Sequence, residues 1–210
     1  MIKIFITDDH PIVREGLKQT LRETPDIAVS GEASNGEETL DDLRNQEVDV
    51  VLLDISLPGR SGLDILSQLR LAYPNLKILI LSTYPEEQYA IRALKTGAAG
   101  YLTKESAPEE LITAIRKVAC GGKYVSAALA ERLAFNLTGE ATARPHEKLS
   151  NREYQVMCLI ASGKTAKEIA LALSLSDKTI STYRRRILDK MHMRHNAELT
   201  HYAIQQGLVN

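Results

Sequence analysis

The stretch Val48-Asp49-Val50-Val51-Leu52-Leu53-Asp54 is a short run of strand-forming residues that becomes continuously apolar at Val50 and stops at a carboxylate. Strands that face solvent on one side alternate apolar and polar residues. A continuous run instead suits a strand buried on both faces of a parallel sheet. Four more segments fit around it: Ile2–Ile6, Ile27–Ala33, Leu76–Leu81 and Ala98–Leu102. Between them lie helix-like stretches near Pro11–Glu23, Gly36–Asn45, Gly62–Tyr73, Glu86–Thr96 and Ala107–Ala119. In the last of these, Leu111, Ile112, Ile115 and Val118 recur at helical spacing. Strand followed by helix, five times over, predicts an α/β domain with right-handed crossovers.

An open parallel sheet gathers its ligands where the carboxyl ends of the strands meet the loops. Asp8 and Asp9 follow the first strand, Asp54 ends the third, Ser82 and Thr83 follow the fourth, and Lys104 follows the fifth. Folding would therefore bring three carboxylates, hydroxyls and one amine to the same edge, although they lie far apart in the chain. Clustered carboxylates repel one another, and a cation relieves that repulsion. Hard oxygen donors with room for water suit Mg2+. A carboxylate can attack phosphorus. Lys104, Ser82 and the metal would then neutralise the charge of a loose phosphoryl-transfer transition state. Taken singly, these residues are ordinary: a lone Asp at a strand end commonly caps a helix, and His10 reads as a structural or surface residue.

Past Gly121-Gly122 the pattern changes. Ser126–Leu137 reads as a short amphipathic helix and Thr138–Lys148 as a linker. Beyond Leu149 only helices are predicted. The first begins at Ser150, with Glu153 completing a capping box, and ends at Ser162-Gly163. The others run over Thr165–Leu173, about Lys178 to Met191, and about Asn196 to Gln206. The turn at Leu175-Ser176-Asp177 makes the second and third a helix-turn-helix candidate. On the third helix, Ile180, Tyr183, Ile187, Leu188 and Met191 share one face, which can dock on Val156, Ile160, Ile169 and Leu173. The opposite face carries Lys178, Ser181, Thr182, Arg185 and Asp189, with Arg186 beside them. Hydroxyls and guanidinium groups displayed in this way suit a DNA major groove. Lys167, Lys178, Thr179, Arg184 and Lys190 are placed to meet phosphates.

Composition agrees with two jobs. The 210 residues, 44% hydrophobic and 25% charged, suffice for two ordinary domains. From His146 onward there are 10 basic and 6 acidic residues, against 16 and 21 in the remainder. The basic part is the one predicted to meet nucleic acid. No apolar run approaches the roughly 18 residues that span a bilayer. The N-terminus runs into Asp8-Asp9 without the form of a signal peptide, so a cytoplasmic location without membrane attachment is expected. Cys120 and Cys158 form no CxxC pair, and Cys158 reads as a small buried hydrophobe.

Several motifs carry a family resemblance. The acidic pair in Ile6-Thr7-Asp8-Asp9-His10, the run Val51-Leu52-Leu53-Asp54-Ile55-Ser56-Leu57-Pro58-Gly59, Leu81-Ser82-Thr83, and Gly97-Ala98-Ala99-Gly100-Tyr101-Leu102-Thr103-Lys104 resemble the receiver domain of two-component signalling proteins over residues 2–120. Leu149-Ser150-Asn151-Arg152-Glu153, Gly163-Lys164-Thr165-Ala166-Lys167-Glu168-Ile169-Ala170 and Ser176-Asp177-Lys178-Thr179-Ile180-Ser181-Thr182-Tyr183 resemble the LuxR-type helix-turn-helix. Together they resemble the NarL/FixJ family of response regulators, and Thr182-Tyr183-Arg184 resembles its GacA/UvrY branch. Many members carry Lys where this chain has Ser181 and His where it has Tyr183, so a known operator sequence does not transfer directly.

The resemblance implies a doubly wound receiver with flavodoxin-like strand order 2-1-3-4-5 over residues 1–122, a linker with a short helix over 123–147, and a four-helix DNA-binding domain over 148–210. It implies Asp54 as phosphoacceptor, and Mg2+ held by Asp9, Asp54 and the Ser56 backbone carbonyl, with Asp8 assisting through water. Ser82 becomes the switch hydroxyl and Tyr101 the aromatic that turns inward on phosphorylation. Thr83 stands where receivers usually have a small residue, and a larger one there restricts access to the phosphoaspartate. Ser181, Thr182 and Arg185 would face bases, while Lys167, Lys178 and Thr179 would hold phosphates. The implied partners are a sensor histidine kinase, promoter DNA and a second copy of the chain. For the dimer, Leu199, Tyr202, Ala203 and Ile204 are either contacts or intramolecular core. Two competing readings are a small α/β phosphatase or phosphotransferase using the same acids, and a DNA-binding protein whose receiver is degenerate. No external substrate pocket is legible for the first, and the intact Asp8, Asp9, Asp54 and Lys104 oppose the second.

Overall fold

Five parallel strands form one sheet in the order β2-β1-β3-β4-β5. They are β1 (Ile2–Thr7), β2 (Ile27–Ala33), β3 (Val50–Leu53), β4 (Lys77–Ser82) and β5 (Gly100–Thr103). They alternate with α1 (Pro11–Arg22), α2 (Gly36–Asp42), α3 (Gly62–Ala72), α4 (Glu86–Thr96) and α5 (Pro108–Ala119). The molecule is a computed structural model that describes residues 1–138 and 144–209. The expected linker therefore lies partly outside the described residues.

The central strand is buried as its composition requires. Val50, Val51, Leu52 and Leu53 are all at most 1% exposed. Val50 to Leu53 pair with Ile4 to Thr7 on one side and with Lys77 to Ile80 on the other. On one face Leu111, Ala114, Ile115 and Val118 of α5 close against Ile4, Ile6, Leu52 and Leu79. This confirms the helical stripe read from the sequence, with Ile112 at its half-buried margin.

At two of the boundaries that differ from expectation the reason is local. Gly97 takes φ 110° and ends α4, and the Ala98 N–H still donates to the Ala93 carbonyl, so β5 starts at Gly100 rather than Ala98. After α2 the Arg44 and Asn45 N–H groups donate to Asp41 and Asp42, a tightened i−3 pattern that ends the regular helix early.

The chain divides into two compact units, Met1–Glu131 and the residues from Arg132 onward. The first runs past residue 122 because Tyr124 bridges to Gly100 and Leu129 is buried. Helix α6 (Ala127–Thr138) follows. In the second unit a 3-10 turn at Pro145–Lys148 precedes α7 (Asn151–Ala161), α8 (Ala166–Ala172), α9 (Asp177–Met191) and α10 (Asn196–Gln205). Both expected capping boxes form, Ser150 with Glu153 and Thr165 with Glu168. Val156, Ile160, Ile169, Leu173, Ile180, Ile187, Leu188 and Met191 are buried together with Cys158. Tyr183 lies at the edge of that face, half-buried.

Candidate functional site

The residues expected to converge do so. Asp8 follows β1, Asp54 follows β3 and Lys104 follows β5. The Lys104 ammonium lies 2.5 Å from Asp8 Oδ2 and 2.8 Å from Asp54 Oδ2. Sheet register brings this about. The Asp54 N–H donates to the Thr7 carbonyl and the Lys104 N–H to the Ser82 carbonyl, so each strand end is held level with its neighbour. All three side chains are withdrawn from water, with exposures of 3%, 1% and 9% for Asp8, Asp54 and Lys104.

Two buried carboxylates share one ammonium, and the charges respond accordingly. Burial pushes the Asp54 carboxyl above the ordinary carboxylate range, and Lys104 offsets only part of that. For Lys104, burial opposes the charged form, but Asp54 and Asp8 outweigh it and hold the ammonium above its usual value.

Asp9 completes the acidic group. Asp8, Asp9, His10 and Asp54 each present a ligand atom within 4.8 Å of the others. Asp9 Oδ1 is buried and accepts no hydrogen bond, although His10 Nδ1 lies 2.7 Å from it. The remaining oxygens are only lightly engaged. Asp54 Oδ1 accepts from the Ser56 N–H at 3.2 Å, and Asp8 Oδ1 from the His10 N–H at 2.9 Å. A buried carboxylate oxygen without a donor, among hard oxygen ligands at a solvent-facing rim, fits a small divalent cation such as Mg2+.

Ser82 is fully buried, and its Oγ accepts from the Tyr84 N–H at 3.2 Å. Tyr101 is 1% exposed, and its hydroxyl donates to the Tyr84 carbonyl at 2.8 Å. Burial raises the Tyr101 hydroxyl well above its usual range, so it remains a donor. The ring therefore already occupies the inward place. Thr83 is exposed at the rim. Tyr84 was not singled out from the sequence, because it joins Ser82 to Tyr101 through backbone atoms that leave no side-chain signature. Arg14 was missed as well: its guanidinium donates to the Asp8 carbonyl at 2.6 Å and pairs with Glu32. Its place one turn into α1, beside the acidic pair, is the signal that could have found it.

In the second unit Lys178, Ser181, Arg185 and Arg186 are exposed on α9, with Thr179 and Thr182 half-buried. Lys178, Thr179, Thr182, Tyr183 and Arg186 line a shallow depression. The hydroxyls of Ser181 and Thr182 donate to the Asp177 and Lys178 carbonyls, which leaves their lone pairs outward. Lys167 is exposed on α8. Two expected phosphate contacts are engaged within the unit. Lys190 lies 2.6 Å from the capping carboxylate of Glu153, and Arg184 donates to Asn196 Oδ1 at 2.6 Å. On α10, Leu199 and Ala203 are fully buried and Tyr202 meets His146 at 2.7 Å, so these side chains serve the unit's own core; Ile204 is 53% exposed. No helix among the described residues is long and apolar enough to cross a membrane.

Comparison with known proteins bears on both units. Residues 4–116 match the response regulator receiver domain, and residues 147–203 match the bacterial regulatory proteins of the luxR family. The chain is 39% identical to the response regulator UvrY of Escherichia coli, covering all of this chain and 97% of that protein. It is 36% identical to the response regulator GacA of Pseudomonas protegens, covering all of this chain and 99% of that protein. Among solved structures it is similar to RcsB from Salmonella enterica serovar Typhimurium bound to promoter P1flhDC in the presence of the phosphomimetic BeF3-, with TM-score 0.60, 26% identity, and 96% and 97% of the two chains covered. The chain belongs to the NarL/FixJ-type response regulators of two-component systems, with a receiver joined to a LuxR-type DNA-binding domain that controls transcription, and resembles UvrY and GacA within them.

Proposed function

We propose that Asp54 is the phosphoacceptor and that its phosphorylation by a sensor histidine kinase controls DNA binding through α9. The observation that carries this reading is the Lys104 ammonium, fifty positions from Asp54 in sequence and 2.8 Å from its carboxylate. An Asp54 oxygen attacks phosphorus while the bond to the donor histidine nitrogen breaks, and that nitrogen keeps the electron pair. Lys104 then faces a phosphoryl oxygen, and the Ser82 hydroxyl donates to another. Asp9, Asp54 and the Ser56 carbonyl are the ligands we assign to Mg2+, with Asp8 acting through water. A bound Mg2+ supplies neutralising charge to the phosphoryl oxygens. Tyr101 follows Ser82 as the mobile aromatic, and Thr83 at the rim limits the approach of hydrolytic water. The chain then performs no catalysis beyond its own phosphotransfer and dephosphorylation.

Residues 1–122 serve as the receiver, 123–147 as the connection, whose first part as far as Glu131 belongs to the receiver's compact unit, and 148–210 as the DNA-binding domain. Lys178, Ser181, Thr182, Arg185 and Arg186 form the base- and phosphate-facing surface, with Lys167 and Thr179 on the backbone side. Arg184 and Lys190 join them only by leaving Asn196 and Glu153. The working form we assign is a cytoplasmic homodimer on duplex DNA; the promoter-bound RcsB relative supports the DNA part of that reading. Labelling with acetyl phosphate tests the assignment: Asp54→Asn is expected to abolish it, and equal labelling of the variant overturns it. DNA affinity with and without Mg2+-beryllofluoride then separates a phosphorylation-controlled regulator from an independent DNA-binding protein.

A further inference from the structure

After α5 the chain does not leave the receiver directly. Residues Lys123–Ser126 run along the open edge of β5. The Tyr124 N–H donates to the Ala99 carbonyl at 2.9 Å, and the Tyr124 carbonyl accepts from the Tyr101 N–H at 3.4 Å. Lys123 Nζ donates to the Ala98 carbonyl at 2.6 Å, and the Tyr124 hydroxyl to Glu110 at 2.8 Å. Gly100 allows the close approach. A side-chain carbon there would lie 2.6 Å from the Tyr124 carbonyl oxygen, too near for either backbone to remain in place.

The strap then reaches α4. Both the N–H and the hydroxyl of Ser126 donate to the carboxylate of Glu86, in the first turn of α4. Ser126 Oγ also accepts from the Leu129 N–H at 3.0 Å and so caps α6, where Leu129 is buried. Glu86 lies two residues after Tyr84, whose backbone holds Ser82 on one side and Tyr101 on the other. One hydrogen-bonded path therefore links the switch hydroxyl, the switch aromatic and the start of the helix that leads towards the DNA-binding domain.

We propose that Lys123–Ser126 is an output strap whose latch, Ser126 on Glu86, is favoured when Tyr101 is inward and loosened when Tyr101 leaves. The proposal rests on the switch roles given above to Ser82 and Tyr101. The strap borrows a strand edge and a carboxylate that both adjoin the moving parts. Displacing Tyr101 shifts Tyr84 and the backbone N–H that holds Tyr124, which misaligns Glu86 with Ser126. Coupling of this kind is reciprocal, so latch and phosphoryl site stabilise each other by the same factor.

The test uses the full chain and a duplex selected from a randomised pool against the beryllofluoride-treated protein. The quantity read is the ratio of DNA affinities with and without Mg2+-beryllofluoride. Ser126→Ala and Glu86→Gln are expected to lower that ratio at least fivefold and to leave acetyl-phosphate labelling of Asp54 intact. An unchanged ratio in both variants overturns the strap. A wild-type ratio of one overturns the phosphorylation reading, and the strap falls with it. Hydrogen exchange on the unmodified chain gives a readout that needs no variant. Beryllofluoride is expected to slow the Tyr124 and Leu129 amides, and identical exchange in both states at full beryllofluoride occupancy also overturns the strap.

Discussion

Replacing Lys104 by methionine keeps the aliphatic stem and removes the ammonium that bridges Asp8 and Asp54. At 2.5 and 2.8 Å each attraction is about 6 kcal/mol with an effective dielectric constant near 20, before the several kcal/mol of desolvation that each buried ion costs. The variant leaves two carboxylates whose ligand oxygens lie within 4.8 Å of each other, a repulsion of about 3.5 kcal/mol in the same medium. Because desolvation of the lysine is recovered, the net loss expected is about 3 kcal/mol, the usual scale for removing one partner of a buried pair. In a receiver of this size that lowers Tm by about 10 °C. The pH dependence follows from Asp54, whose folded carboxyl is already raised by burial. A raised group penalises the folded state in full above its folded pKa, and the penalty fades as pH falls from that value to the ordinary carboxylate one. Without Lys104 the carboxyl rises further. The deficit should therefore be largest at neutral pH, shrink on acidification, and shrink also when Mg2+ is added. Calorimetry of the full chain in EDTA and in Mg2+ separates the transitions, because only the receiver's responds to the metal. A variant within about 0.5 kcal/mol of wild type in EDTA at neutral pH, or a deficit indifferent to pH, would refute the charge accounting.

Other substitutions probe other links. Gly62→Ala should destabilise the receiver by about 2 kcal/mol in urea, although alanine favours helix by up to about 1 kcal/mol, because its Cβ would lie 1.9 Å from the Asp54 carbonyl oxygen; a neutral or stabilising effect would show that the loop yields. Burial acts against the Glu153 carboxylate, but Lys190 and Ser150 outweigh it and hold the carboxyl below its usual 4.5, so its contribution is present above that value and is lost as pH falls through the folded one. Glu153→Gln should thus cost the helical domain about 1–2 kcal/mol at neutral pH and nothing once Glu153 is protonated, as followed by circular dichroism. Arg185→Ala should lose about 1–3 kcal/mol of discrimination between selected and scrambled duplexes in a binding titration, and unchanged discrimination would remove Arg185 from base reading.

The receiver was legible because its signals survive without partners. A continuous Val-Val-Leu-Leu run within a strand-helix alternation suits burial on both sides, and the topology of a parallel sheet then carries Asp8, Asp54 and Lys104 to one edge whatever separates them in the chain. The strap was not legible for the opposite reason. Lys123–Ser126 is too short to show a period, and its hold on β5 runs mainly through backbone groups, which every residue possesses. The Gly121-Gly122 pair read as punctuation before a linker, yet the chain stays on the receiver as far as Glu131.

The helical unit shows where periodicity stops informing. It separates a buried face from an exposed one, and on α9 Ile180, Ile187, Leu188 and Met191 fall on the expected side. It does not say what an exposed charge will do, because that depends on which carboxylates tertiary packing brings near. Lys190 and Arg185 look alike in the sequence, but the capping carboxylate of Glu153, placed by α7, captures Lys190. The same logic resolves α10. Leu199 and Ala203 lie one turn apart on a face that packs on α7 inside the unit, so a single stripe has one occupant and cannot also face a second copy. Any dimer contact made by α10 must then use its other side, where Ile204 stands half-exposed. Substituting Ile204 therefore tests dimerisation, whereas substituting Leu199 tests only folding.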